Sequence, residues 1–572
     1  MNLKICQIFI RAIPHETLRK VSKALINRKL REYLTSLGDN LKANPKRFWS
    51  YFRHRTKSNS IPANVTYGGS QISSGVEMAE AFNKFFYSTF THAPEVPLKP
   101  FTPPDGRLPV FDSLVLCEDE VYKVLSNLDP SKAPGPDGLP TTVLKTCARE
   151  LTPSLCALFN LSLEEGKLPI EWKNALVVPV YKKGKKEDVT NYRPISLLCV
   201  VSKVLERCIL KHFNDFLCPL FDNAQHGFLQ GRSTVTQLLT FYHEIGQSLD
   251  KGLQSDIVYL DLAKAFDSVS HQGLLLKLSQ YGVSGKLLQW FESYLDGRGQ
   301  QCLVHGFTSS RSPVPSGVPQ GSILGPLLFL VYVNDLPPVI QNHFALFADD
   351  SKCSSVIDSL QDCESLQKDL DRLQGWSDNW HLKFNTSKCE VLTVTRKRYP
   401  LRYDYKLNNI SLNHVTQVKD LGVSISSDLT WDTHTNTILA KANRMLAFLR
   451  RNSLSSFTTD HRKLLHLTFV RSHVGYASEI WAPSSIGGIK KIESLQRRAT
   501  KFILNTHWQE DISYHERLSR LNLLPLTYWH EVKDLSFYFK CRVGHYTLPI
   551  ADYVRPKEIG RASCRERVCQ YV

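Results

Sequence analysis

Two aspartates stand side by side in HFALFADDSKC (His343 to Cys353), flanked by apolar residues. Adjacent like charges beside Phe344, Leu346 and Phe347 repel each other and resist desolvation, so a cation is the natural counterweight. A third carboxylate, Asp261, closes the apolar run in SDIVYLDLAKAFDSV. The residues around the pair read as two short strands with Asp349 and Asp350 at the bend, and Ile257–Leu262 reads as a buried strand. If these strands are neighbours in one sheet, three carboxylates meet at one edge. That is a ligand set for two Mg2+ ions, which take hard oxygen donors together with substrate phosphates. Two ions about 4 Å apart clamp the attacking and leaving oxygens of an in-line phosphoryl transfer. A departing pyrophosphate needs cations, and Lys182, Lys183 and Arg193 are candidates within NALVVPVYKKGKKEDVTNYRPISLL. Taken singly, each residue has a plainer reading: Asp is a common turn former, and isolated Lys or Arg is ordinary surface.

The elements that would carry these groups follow from pattern. Ala175–Tyr181 reads as an apolar strand, and a helix is expected near His271–Tyr281, ended by Gly282. SGVPQGSILGPLLFLVYVNDL is a Gly/Pro loop feeding an apolar helix. Leu360–Trp380 is an amphipathic helix, LKFNTSKCEVLTV resumes strand-like alternation, and VKDLGVSISSDLTW is a further strand and turn. From Thr435 the pattern turns helical, with Ile438, Ala442, Met445, Leu446 and Leu449 on one face. Leu495–Leu504 is another helix, whose Arg497, Arg498 and Lys501 are either a solvated face or a nucleic-acid track. Residues 1–90 are basic and mostly helical in pattern. Within them KANPKRFWSYFRHRT interleaves Lys46, Arg47, Arg53 and Arg55 with Phe48, Trp49, Tyr51 and Phe52, which suits a nucleic-acid surface or a helix with a buried aromatic face. HAPEVPLKPFTPPDGRLP, His92 to Pro109, is a proline-rich linker.

The chain has 572 residues, too many for one typical domain. Its 71 Lys and Arg against 54 Asp and Glu leave a formal charge of +17, which favours polyanionic partners. No apolar run is long enough to span a bilayer, and the N-terminus is a poor signal peptide. The 14 cysteines are scattered; Cys541 and His545 have a possible ligand spacing, but no second pair lies at zinc-finger distance. Reduced thiols in a nuclear or cytoplasmic protein are the expectation.

LDLAKAFDSVSH, SGVPQGSILGPLLFLVYVND and FADD resemble the A, B and C motifs of reverse transcriptases. NYRPISLL, QHGFLQGRST and GSILGPLLF narrow the resemblance to non-LTR (LINE-type) retrotransposon polymerases of the jockey and chicken-repeat kind, from roughly Asn44 to about Pro556. The resemblance implies an α+β right-hand polymerase fold of fingers, palm and thumb with helical N- and C-terminal extensions. It divides the chain into a basic extension and linker (1–105), fingers (106–240), palm (241–425, within a core of about 165–428) and a helical thumb and C-terminal region (426–558).

It also assigns roles. Asp261, Asp349 and Asp350 match the acidic positions that hold two Mg2+ ions (Mn2+ a possible substitute), with the Leu262 carbonyl assisting. Phe266 matches the bulky residue that crowds a ribose 2′-hydroxyl, although a core phenylalanine is the plainer reading. Gln320 matches a residue near the incoming nucleotide and template, and Gly317 and Gly321 let the backbone approach closely there. Arg193 and one of Lys182 or Lys183 match the triphosphate-binding residues. Lys388 matches the lysine proposed to protonate pyrophosphate, against a plain surface lysine. VKDLGV resembles the primer-grip region. The implied partners are an RNA template, a DNA primer or target and dNTPs, with no membrane, in a ribonucleoprotein of nucleus and cytoplasm. A catalytically decayed, nucleic-acid-binding remnant is the alternative; an RNA-dependent RNA polymerase is a third reading, disfavoured by Phe266. An endonuclease encoded upstream of an internal Met1 is expected, and no ribonuclease H segment is apparent. IGRASCRERV, in 559–572, resembles a translated sequencing adapter, so this tail is expected to be non-native.

Overall fold

The computed structural model describes residues 16–39, 61–91, 109–453, 457–505 and 512–548. The basic-aromatic stretch around Phe48, nearly all of the proline-rich linker and the tail from Ile559 lie outside the described residues.

The strands are β1 (Val65–Tyr67), β2 (Ser70–Ile72), β3 (Asn174–Tyr181), β4 (Tyr192–Leu198), β5 (Gln254–Asp261), β6 (Gly299–Val304), β7 (Phe307–Thr308), β8 (Ser312–Pro313), β9 (His343–Phe347), β10 (Asp350–Ile357), β11 (Glu390–Val394), β12 (Lys406–Leu407), β13 (Ile410–Ser411), β14 (Asn413–Val415), β15 (Gln417–Asp420) and β16 (Val423–Ser426). One sheet has the order β4-β3-β6-β7, with β8 also on β6; another has the order β14-β11-β5-β10-β9. The first sheet draws strands from both sides of β5 in sequence. An expected boundary at residue 240 therefore does not separate the sheets, because the chain returns at Gly299 to pair β6 in parallel with β3. The expected N-terminal helical pattern is likewise interrupted, since β1 and β2 form a hairpin before the helix Gly75–Tyr87.

The strand β5 is central and has a core on each face. Val258 and Leu260 enter one hydrophobic cluster together with the helix Gly325–Val333, whose GPLLFLVYV is almost wholly buried. Ile257 enters the other, with Phe241 and Tyr242 of the helix Thr234–Asp250 and the C-terminal helices Asp432–Asn452 and Ile486–Leu504. This two-sided burial explains the continuous apolar run of IVYL. The amphipathic helix Leu360–Trp380 begins at a Ser359–Asp362 capping box and buries Leu366, Leu370 and Leu373. A third cluster seats Phe82 and Phe86 of Gly75–Tyr87 on Val177, Tyr192 and Cys302 of the first sheet. Among the described residues no helix is long and apolar enough to cross a membrane, and the cysteines are free.

Burial keeps several histidines uncharged: His226 is pulled down to about 3, and His434 and His466 to about 4. His434 Nδ1 accepts a hydrogen bond from Ser424 N, which protonation would break. Unfolded, each imidazole takes its proton near about pH 6.5. Between there and about pH 4 the unfolded chain binds more protons, so stability falls as pH falls through that window. Asp267 and Asp350, each pushed up to about 6, and Asp256, Asp349, Glu206 and Glu244, also raised by burial, act in the opposite sense, but burial lowers His243, His271, His343 and His473 as well, so seven imidazoles stand against six carboxyls and the sign is unchanged. The urea midpoint is expected to be lower at about pH 4.5 than at about pH 7; an equal or higher midpoint would contradict the assignment of neutral buried imidazoles.

Candidate active site

The register of the second sheet brings the three aspartates together. On antiparallel β5 and β10, Asp261 is directly opposite Asp350. The Asp261 carbonyl accepts from Asn385 N at 2.7 Å, and Ala263 N donates to the Lys383 carbonyl at 2.8 Å, on the β11 side. Asp261 and Asp350 are therefore a non-hydrogen-bonded pair, the kind whose side chains lie closest and share a face. The same alternation turns the Leu262 carbonyl toward the β9–β10 hairpin. Phe347 pairs with Asp350, so Ala348 and Asp349 form a two-residue turn, with Ala348 at φ +56°.

Concentrated negative charge shows in the carboxyls. Burial pushes Asp350 up to about 6, with Asp349, Asp420 and Asp261 adding repulsion and Lys352 opposing. Asp349 is raised by burial and by Asp261, while Arg193 and Lys182 pull it back. These are hard oxygen donors whose charge a divalent ion would relieve, and in that sense the set fits Mg2+ or Mn2+. It is not a preformed cage: no three His, Cys, Asp or Glu side chains among the described residues are already grouped to hold a metal ion. Instead Lys388, from the turn Thr386–Lys388, places Nζ 2.7 Å from Asp261 Oδ2. Cys541 and His545 likewise belong to no such group.

Cations approach from the first sheet. Arg193 is opposite Val180 across β3 and β4 and is exposed, and Lys182 follows where its N–H donates to the Asn191 carbonyl at 2.9 Å. Burial lowers the Lys182 pKa, as do Arg193, Lys388 and Lys183, while Asp261 opposes them. Lys182 thus shares the field of Asp261, Asp349 and Arg193.

The PQG loop ties β4 to the loop that follows β5. Ser196 N on β4 donates to the Gln320 carbonyl at 2.8 Å, and Gln320 Nε2 donates to Asp267 Oδ1 at 2.9 Å. Gly321, at φ +128°, lies so near that a Cβ would sit 2.4 Å from the Ser196 carbonyl oxygen, so only glycine fits. Phe266 is half-buried, stacked on Phe329 with centroids 4.5 Å apart and approached edge-on by Phe228 at 6.4 Å.

Three supporting residues escaped the sequence reading. Glu206, buried in the helix Val200–Leu217, accepts at Oε2 from Ile323 N at 2.7 Å and Leu324 N at 3.2 Å, anchoring the end of the PQG loop. Its trace in the sequence is one carboxylate on the apolar face of VVSKVLERCIL. Asp420 on β15 accepts from Tyr242 Oη at 2.6 Å and pairs with the buried Lys352 Nζ. Tyr259 Oη is 2.5 Å from Tyr242 Oη, and this network borders a cavity of about 160 Å³ that opens beside Asp261 and Asp350. Gln225, within QHGFLQGRST, accepts from the N–H of Ala348 at 2.9 Å.

Residues 181–425 match the family described as reverse transcriptase (RNA-dependent DNA polymerase). Beyond that span, the chain is 28% identical over 497 residues to the probable RNA-directed DNA polymerase from transposon BS of Drosophila melanogaster, covering 79% of this chain and 53% of that protein. It is 28% identical over 431 residues to the probable RNA-directed DNA polymerase from transposon X-element of the same fly, covering 72% and 45%. The RNA-directed DNA polymerase from mobile element jockey of Drosophila funebris is 28% identical over 530 residues, covering 86% and 56%. The chain spans about half the length of these curated relatives.

Proposed function

We propose that this chain, which carries a reverse transcriptase domain of the non-LTR retrotransposon type, extends a primer 3′-hydroxyl on an RNA template with dNTPs. The observation that carries the reading is the pairing of Asp261 with Asp350, with Asp349 on the adjoining turn, inside the matched span. In this reading the first sheet, with the helices between Glu118 and Leu217, forms the fingers. The second sheet is the palm, and the helices from Asp432 are the thumb.

Asp261, Asp349, Asp350 and the Leu262 carbonyl would hold two Mg2+ ions, with Mn2+ as a substitute. Bound there, the ions supply charge neutralisation and Lewis acidity at the phosphoryl oxygens. Arg193 and Lys182 bind the triphosphate, and Lys388 Nζ carries the proton for the leaving pyrophosphate. Gln320 lines the nucleotide position. In a complete element the setting is target-primed synthesis on nicked DNA, by a ribonucleoprotein of nucleus and cytoplasm.

Phe266 supplies the sharpest test. Its ring is held by Phe329, so it can exclude a 2′-hydroxyl without moving away. On a primed RNA template the wild-type chain is expected to use dNTPs, and Phe266→Ala to raise rNTP use relative to dNTP on the order of 10²-fold, the scale on which a site separates substrates differing by one hydroxyl. An unchanged ratio removes Phe266 from sugar selection. Wild-type protein that binds primed RNA but incorporates nothing supports the decayed remnant instead.

A further inference from the structure

The catalytic hairpin has an outer edge, β9, and the segment Ala224–Gly227 is fastened along it. Leu346 N donates to the Ala224 carbonyl and His226 N to the Leu346 carbonyl, each at 2.9 Å, so Gln225 runs parallel to Leu346 as a one-residue strand. Arg232 holds the segment from behind, with Nη1 donating to the carbonyls of Asp222 at 2.9 Å and Gln225 at 2.5 Å.

From this position the Gln225 side chain, 2% exposed, reaches the end of the hairpin. Its Oε1 accepts from Ala348 N at 2.9 Å and from Gly227 N at 2.7 Å. Two converging N–H donors require an oxygen there, which fixes the amide orientation. The Gln225 Nε2 is buried with no hydrogen-bond partner among the described residues, so the side chain serves the turn at some expense to itself. Ala348 is the residue that needs help: alanine at φ +56° is in the left-handed region, disfavoured for any residue with a Cβ. Gly227 permits the close approach, since a Cβ on it would sit 2.4 Å from Ala348 N.

We propose that Gln225 is a positioning residue for Asp349: by capping the Ala348 N–H it holds the left-handed turn, and with it the direction in which the Asp349 carboxylate leaves the hairpin. The inference rests on the polymerase reading above. It makes the QHGF segment part of the catalytic apparatus through the hairpin, without contact with substrate.

The test pairs Gln225→Met, which keeps the shape and loses the acceptor, with Ala348→Gly, which relieves the backbone preference the cap works against. Gln225→Met is expected to lower kcat about 10- to 100-fold, the worth of one buried hydrogen bond, with KM for dNTP within about threefold of wild type. In the Ala348→Gly background the same change is expected to cost at least about tenfold less, because neighbouring sites couple. Independently of activity, hydrogen exchange at the Ala348 amide in metal-free protein is expected to be about tenfold or more faster in Gln225→Met. Gly227→Ala, which leaves Gln225 in place but drives a methyl at the turn, gives the same kcat-against-KM split and covers the case of a poorly folding Gln225→Met. A wild-type chain that extends no primer overturns the function and the inference together. An active wild type whose Gln225→Met and Gly227→Ala variants keep kcat, or whose Gln225→Met loss is equal in both backgrounds, overturns the inference alone.

Discussion

Asp349→Asn is expected to reduce primer extension by roughly three orders of magnitude or more, the scale associated with losing a principal source of transition-state charge stabilisation. The substitution preserves the shape of the side chain and removes its charge. Stability should not suffer, because burial and Asp261 already push the Asp349 carboxyl up, which means the folded state tolerates the charge poorly. The urea midpoint is therefore expected at or above that of wild type. Asp350→Asn provides the internal contrast. Asp350 is drawn by Lys352 and repelled by Asp420 as well as by Asp349, so part of its charge belongs to the buried network under the site. Its loss should cost about tenfold less activity than that of Asp349. Extension by Asp349→Asn within tenfold of wild type would remove the turn aspartate from the chemistry.

Much of this site was legible one strand at a time. The apolar run ending at Asp261 and the helix Leu360–Trp380 follow from periodicity, with observed bounds of Gln254–Asp261 for β5 and Leu360–Trp380 for the helix, whereas the bend expected at Asp349 and Asp350 lies one residue earlier, at Ala348 and Asp349, and Asp350 opens β10. Periodicity gives faces, however, and not partners. That Asp261 meets Asp350 depends on a register between strands with the whole β6–β9 region between them, and nothing local encodes it. The return of β6 to β3 was hidden for the same reason. Lys182 and Lys183 are equivalent as letters, and the pattern of the sequence does not show that Lys182 lies in the field of Asp261 and Arg193. Lys388 could be assigned a proton-donating role but not its ion pair with Asp261. Gln225 and Glu206 were invisible because each acts on backbone N–H groups far along the chain, where side-chain pattern carries no signal.

Lys277→Met is expected to lower the unfolding free energy by about 3–5 kcal/mol, the usual result of removing one partner of a buried ion pair. Lys277, on the helix His271–Gln280, is fully buried, with Nζ 2.6 Å from Asp335 Oδ1 and bonded also to the Tyr332 carbonyl. Its ammonium lies 3.6 Å from the Trp380 ring centroid and 5.1 Å from that of Trp376, whose Nε1 donates to Asp335 at 3.0 Å. Burial pulls the Lys277 pKa down to about 8 against the opposing pull of Asp335, so the charge is retained at neutral pH only because its partner is there. Methionine fills the same channel and leaves Asp335 with one indole N–H in an apolar surrounding. Adding Asp335→Leu should then restore most of the loss, since a buried pair replaced by apolar groups of similar volume is often neutral. The pair fastens together the helix after the Phe266 loop, the far end of the helix that the PQG loop starts, and Leu360–Trp380. The expected signature in denaturant is a large fall in midpoint for the single variant and recovery in the double, with KM for dNTP unchanged in both at temperatures where they are folded. A single variant within about 1 kcal/mol of wild type would mean that the aromatic cage, and not the ion pair, holds these helices.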